Sequence, residues 1–145
     1  VPGIHHVEVW VPDIERAAVE WGWLLERLGF RLESAWPRGR SWGAGDAYLT
    51  LTTSPNLTSV EHDRRRAGVN HLAFHGGTPA SVDTLMVDAS AHGWTALYSE
   101  RYPNAGGEEH YAGWLENAEG FKVEIVADAA SAARDRGRKQ PPPSG

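Results

Sequence analysis

From Ile4 to Val11 ("IHHVEVWV") apolar and polar residues alternate, a two-residue period that predicts a strand. At Pro12 the period changes. Ile14, Ala17, Ala18, Trp21, Leu24, Leu25 and Leu28 form a helical stripe, with Asp13 as N-cap and Gly29 as the stop. Phe30–Ala35 and Asp46–Thr53 read as strands on either side of a glycine-containing loop, "PRGRSWGAG", with room for one more short strand.

The same order then returns. Val69–His75 reads as a strand, and Thr78-Pro79 caps and opens a helix whose buried stripe is Val82, Leu85, Met86 and Ala89, ended by Gly93. Strands are predicted at Trp94–Glu100, His110–Glu116 and, after the turn "NAEG", Phe121–Ala127. Gly3, Ile4 and His6 recur as Gly68, Val69 and His71, 65 positions further on. Gly29-Phe30 matches Gly93-Trp94, and "YLTLTT" aligns with "KVEIVA", which sets Leu49 on Val123, Thr50 on Glu124 and Leu51 on Ile125. A single unit of this kind cannot bury both of its faces, so the fold class expected is α+β with two tandem βαβββ modules. The modules span about 3–54 and 68–128 of one domain, 1–128. The link 55–67 contains a basic "HDRRR" expected to be solvated, and the tail 129–145 is linker-like in composition.

Alternation sorts the strand faces. Val7, Val9, Leu49, Leu51, Leu72, Phe74, Val123 and Ile125 are expected against Ile14, Trp21, Leu24, Val82 and Met86. That leaves His6, Glu8, Trp10, Tyr48, Thr50, His71, His75, Lys122 and Glu124 on the opposite side. The pattern implies a curved sheet with helices outside and a polar cavity inside. A solvated antiparallel face gives the same alternation, but Trp10, Tyr48 and Trp114 favour the cavity. Regular alternation puts His5 on the face opposite His6.

Composition narrows the chemistry. The 145 residues are 41% hydrophobic with seven tryptophans, as in a globular domain. A net charge of −5 gives no electrostatic reason to expect nucleic acid. No apolar run approaches the roughly 20 residues that span a bilayer, which is compatible with a cytoplasmic location. The chain opens on Val1 rather than methionine, the expected sign of a trimmed start. There is no cysteine, so any metal must be held by histidine and carboxylate.

"GIHHVEVWVPDIERA", "GVNHLAF" and "GFKVEIV" resemble, in order and spacing, the motifs of the vicinal oxygen chelate superfamily, which includes glyoxalase I, extradiol dioxygenases, fosfomycin-resistance enzymes and bleomycin-binding proteins. The resemblance covers Gly3 to Asp128 and implies metal ligands from the first and last strands of each module, at His6, Thr50, His71 and Glu124. Thr50 departs from the glyoxalase I pattern, which has glutamate there. The implied site is therefore His6, His71 and Glu124 around one divalent ion (Fe, Mn, Zn, Ni or Co) with open positions. Trp114 takes the place where extradiol dioxygenases usually carry a catalytic tyrosine; it offers an N–H but no ionisable hydroxyl. His110, Glu8 and His75 are the acid–base candidates, and Trp10, Tyr48, Thr50, Trp114 and Arg101 the substrate-binding ones. The activity implied is that of a metal-dependent lyase or dioxygenase-type enzyme, forming a homodimer and acting on a small oxygen-chelating substrate. The alternative is a metal-free, drug-sequestering protein of the bleomycin-resistance type.

Overall fold

The structure, a computed structural model, describes residues 2–128; the tail lies outside the described residues. The chain divides into two compact units, Val1–Glu61 and His62–Gly145. The first runs β1 (His6–Trp10), α1 (Ile14–Arg27), β2 (Arg31–Trp36), β3 (Gly39–Ala44) and β4 (Ala47–Thr52). The second runs β5 (Leu72–Gly77), α2 (Pro79–Asp88), β6 (Trp94–Leu97), β7 (Ala112–Asn117) and β8 (Lys122–Ala127). The sheets are β1-β4-β3-β2 and β5-β8-β7-β6, so the topology repeats. In each, the first and last strands pair in parallel while the other neighbours are antiparallel. The expected α+β class with two βαβββ modules is what the structure has.

Local chemistry places the helices where the pattern put them. The Asp13 carboxylate accepts from the Glu15 and Arg16 amides at 3.0 and 3.3 Å, so two otherwise orphan donors of α1 are satisfied. Gly29, at φ 97°, ends that helix in the left-handed region. Thr78 caps α2 by accepting from Ser81 N at 3.1 Å, with Pro79 in the first turn.

The further strand for which "PRGRSWGAG" left room is β3, a central strand paired with both β2 and β4. Its glycines conceal an alternation in which Trp42 faces α1, its indole N–H donating to Glu26 at 3.3 Å. Gly22 of α1 leaves room for that ring, since a Cβ there would stand 3.3 Å from Trp42 Cζ2. Other expectations shorten: Val69–His75 begins as a strand only at Leu72, Trp94–Glu100 ends as one at Leu97, and His110 lies in the loop before β7.

The core of each unit lies between its helix and its sheet. Ile14, Trp21 and Leu24 are buried with Trp42, Leu49 and Leu51 in the first, and Val82 and Leu85 with Leu115, Val123 and Ile125 in the second. Val7, Val9, Leu72 and Phe74 are only half-buried, as is Met86. The four strand residues belong to β1 and β5, which end their sheets, so each has a neighbouring strand on one side alone.

Two outcomes follow from this packing. A Cβ at Gly76 would stand 2.5 Å from Ile125 Cγ2 and 2.8 Å from Val82 Cγ2, both on stiff branched side chains. Gly76→Ala should destabilise the second unit by about 1–3 kcal/mol, read as a lower urea midpoint with an unchanged slope. His62 stacks on Phe121 at 4.1 Å, and burial lowers its pKa, with Asp63 partly opposing. A histidine depressed in the fold binds fewer protons than in the unfolded chain, so its stabilising contribution is present above the unfolded value, about 6.5, and is lost as pH falls through the folded one. NMR titration should put the His62 midpoint below the ordinary range, and His62→Phe should flatten this part of the stability–pH curve.

Candidate metal centre

β8 carries the central group. Glu124 lies beside Ala73 in the parallel pairing with β5 and opposite Trp114 in the antiparallel pairing with β7. It projects to the face away from α2, yet its side chain is only 6% exposed. Burial pushes its carboxyl up, but hydrogen bonds from His110 and His71 outweigh this, and the net shift is downward. The carboxylate is therefore held ionised between two imidazoles: His71 Nε2 is 3.3 Å from Oε1, and His110 Nε2 is hydrogen-bonded to Oε2.

Each imidazole is held from behind. His71 Nδ1 is 2.7 Å from Asn70 Oδ1, and Asn70 Nδ2 donates to the Arg64 carbonyl at 3.1 Å. The second bond fixes which way the Asn70 amide points, so Oδ1 must accept and Nδ1 must carry the hydrogen. Nε2 therefore carries a hydrogen toward the carboxylate oxygen only when the ring is protonated, and turns a lone pair to it when the ring is neutral. Two lone pairs facing each other need a cation, either a proton or a metal ion. Arg64 is itself anchored on Glu116 at 2.9 Å with its side chain 13% exposed, so this arginine of "HDRRR" is structural rather than solvated. His110 rests on Gly106, where a Cβ would come within 2.7 Å of the ring, and its amide donates to Gly107 O at 3.0 Å.

Around the carboxylate the same face continues with buried aromatic and cationic groups. Trp114 meets the His71 ring edge-on at 5.0 Å, and its Nε1 is buried with no hydrogen-bond partner among the described residues. Lys122, 2% exposed, places Nζ 4.9 Å from the Trp114 ring and donates to the Tyr98 hydroxyl at 2.9 Å. Tyr98 has the only positive φ, 56°, of any described non-glycine residue, a conformation that costs on the order of 1 kcal/mol or more. Asn70 is not a ligand type at a repeat position, so no sequence pattern marks it, and alternation puts Lys122 on this face without giving it a role.

The remaining candidates lie as follows. In the first unit, His6 stacks on Tyr48 at 4.7 Å and its Nδ1 is 2.9 Å from that of His5. His5 is therefore beside His6 and not opposite it, because β1 begins at His6 and alternation does not govern the residue before it. Thr50 is buried and its hydroxyl is 2.6 Å from that of Ser41. Glu8 accepts from the Trp10 indole at 2.8 Å. In the second unit, His75 is fully exposed, 3.9 Å from Asp128 and apart from Glu124, while Arg101 lies over the Tyr98 ring. Thus His71, His110, Trp114 and Glu124 come together within one unit. Among the described residues, no group of three or more histidine, cysteine or acidic residues already stands in metal-holding geometry.

A sequence model of the glyoxalase/bleomycin resistance protein/dioxygenase superfamily matches residues 5–114. The chain belongs to that superfamily. An uncharacterized protein of Bacillus subtilis, YqjT, is 38% identical over 125 residues, covering 86% of this chain and 98% of that protein. A Bacillus halodurans structure provisionally described as a glyoxalase is 39% identical, with a TM-score of 0.81 over 86% of this chain and 95% of that one. The lactoylglutathione lyase of Agrobacterium tumefaciens shares the fold at 18% identity, with a TM-score of 0.58 over 86% of this chain and 92% of that one. The superfamily holds lyases, dioxygenases and drug-binding proteins on one architecture, so the reaction has to be argued from the site.

The Asn70 relay gives the site its own test. Asn70→Ala should leave the fold intact but release the tautomer of His71, seen as a shift of the imidazole ¹⁵N resonances away from the Nδ1–H pattern. An unchanged pattern would mean that Asn70 does not orient the ring.

Proposed function

We propose that the protein is a metal-dependent enzyme of the glyoxalase/dioxygenase type that acts on a small substrate with two adjacent oxygens. The observation that carries this is His71 Nε2 standing 3.3 Å from the ionised Glu124, with Asn70 holding the far side of the ring. Ligating histidines are usually fixed in this way through their other nitrogen. At the usual bond lengths of about 2.0–2.2 Å, two neighbouring ligand atoms on a metal lie roughly 3 Å apart, so the 3.3 Å separation of His71 Nε2 and Glu124 Oε1 suits a shared ion. The donor set of nitrogen and carboxylate oxygen suits Fe(II), Mn, Zn, Ni or Co. A divalent ion there would supply Lewis acidity toward two substrate oxygens.

The chain's own residues would do the rest. His110, hydrogen-bonded through Nε2 to Glu124, is placed to hold or pass a proton at that atom. The Trp114 N–H is a buried donor available to a substrate oxygen. Lys122 sets a fixed positive charge on the same face, which favours an anionic or enolate-like substrate over a cationic one. His6 enters as the third ligand on its repeat match with His71. Thr50, hydrogen-bonded to Ser41, offers no carboxylate at the position matching Glu124, so the reading favours a three-ligand chemistry over that of glyoxalase I. Glu8 and His75 as acid–base groups, and Trp10, Tyr48 and Arg101 as substrate contacts, are secondary parts of the same proposal, as is a homodimer.

Metal analysis of protein purified without a chelator or a histidine tag should find about one divalent ion per chain. Glu124→Ala should lower metal affinity by more than the 10- to 100-fold typical of lost supporting contacts, and His6→Ala tests the third ligand in the same assay. Full retention of metal by Glu124→Ala would overturn the site. Catechol or a hydroxamate should bind the metal-loaded protein at least about tenfold, or ~1.4 kcal/mol, more tightly than the apoprotein in calorimetry at matched pH. A drug-sequestering protein would bind aromatic ligands equally well in both forms.

A further inference from the structure

We propose that a second cavity, between α2 and β6, binds a small organic ammonium compound with an apolar body. The cavity measures about 420 Å³, within the range of small-molecule sites, and is lined by Asp83, Met86, Val87, Leu97, Tyr102 and Tyr111 among others. It lies where α2 meets the sheet edge, whereas Glu124 faces away from α2. The proposal therefore does not depend on the metal centre.

Three features set the chemistry of its ligand. One Asp83 oxygen, Oδ1, accepts from both phenols, Tyr102 at 2.5 Å and Tyr111 at 2.6 Å. These bonds, that from Tyr102 foremost, keep the Asp83 carboxyl below the usual carboxylate range. Among the described residues no lysine, arginine or histidine forms an ion pair with Asp83. At its exposed rim the cavity thus presents a negative charge with no ion-pair partner among the described residues. The two phenol rings meet edge to face with centroids 6.1 Å apart, and aromatic faces attract cations, tetraalkylammonium groups included. Met86, Val87, Ala96 and Leu97 form the apolar part of the wall, which matches an uncharged hydrocarbon portion. A carboxylate and two aromatic rings against an apolar wall complement an organic cation. They repel an organic anion, and a neutral apolar molecule gains nothing from the charge.

The chain contains a single methionine, Met86, so a ¹³C-methyl methionine label gives one resonance, at the cavity wall. Benzyltrimethylammonium should shift it saturably and bind at least about tenfold more tightly than benzyl alcohol, with no binding of benzoate. Asp83→Asn should weaken the cation by about tenfold or more and leave benzyl alcohol unaffected. Tyr111→Phe, which keeps the ring but removes one hydrogen bond, should weaken it by a smaller factor, and dispersed amide spectra check that both variants fold. Equal affinity for cation and alcohol, an unaffected Asp83→Asn, or no saturable shift would overturn the assignment. A Met86 shift that follows protein concentration without ligand would also overturn it, marking the cavity as covered by a second copy of the chain.

Discussion

Parallel strands cannot be joined by a tight turn, because the chain must travel back the length of the strand before re-entering the sheet. In both units the first strand pairs in parallel with the last, and the helix that follows the first strand begins the return. That constraint sets residues from the start and end of a module side by side. It brings His71, just ahead of β5, within reach of Glu124 in β8 although 53 positions separate them in the chain. It also covers one sheet face with a helix and leaves the other for polar groups.

Burying a carboxylate is costly unless charge and hydrogen bonds compensate it. Around Glu124 the compensation comes from two imidazoles, with Lys122 two residues earlier on the same strand face. The arrangement extends outward through Asn70 and the Arg64 backbone to the Arg64–Glu116 ion pair. This is more support than a surface histidine receives. Each group limits the freedom of the next, so the carboxylate meets nitrogen atoms of defined orientation.

Periodicity made much of this legible. Asp13, Gly29, Thr78 and Gly93 marked helix ends through backbone chemistry that is local in sequence, and the match of "YLTLTT" with "KVEIVA" aligned two strands that do occupy equivalent places. β3 was allowed for but not bounded, because glycines at 39 and 43 interrupt its pattern and its pairing partners lie outside any local window. Reading His110 as part of a strand put it on the face of Trp114 by simple alternation. In the structure it reaches Glu124 from a loop folded over Gly106. Asn70 and Arg64 acquire their roles only through contacts made after folding, and no spacing rule picks out an asparagine beside a histidine.

The two modules share a topology but differ in what they ask of their surroundings. At the position where the second buries Glu124, the first buries Thr50, a hydroxyl satisfied by Ser41 at 2.6 Å. A neutral pair of this kind takes up and releases no protons across the biological pH range. The second module instead holds a charged cluster whose free energy is linked to proton activity. The repeated scaffold thus has unequal halves: the first is indifferent at this position to the acidity of its solvent, and the second responds to it.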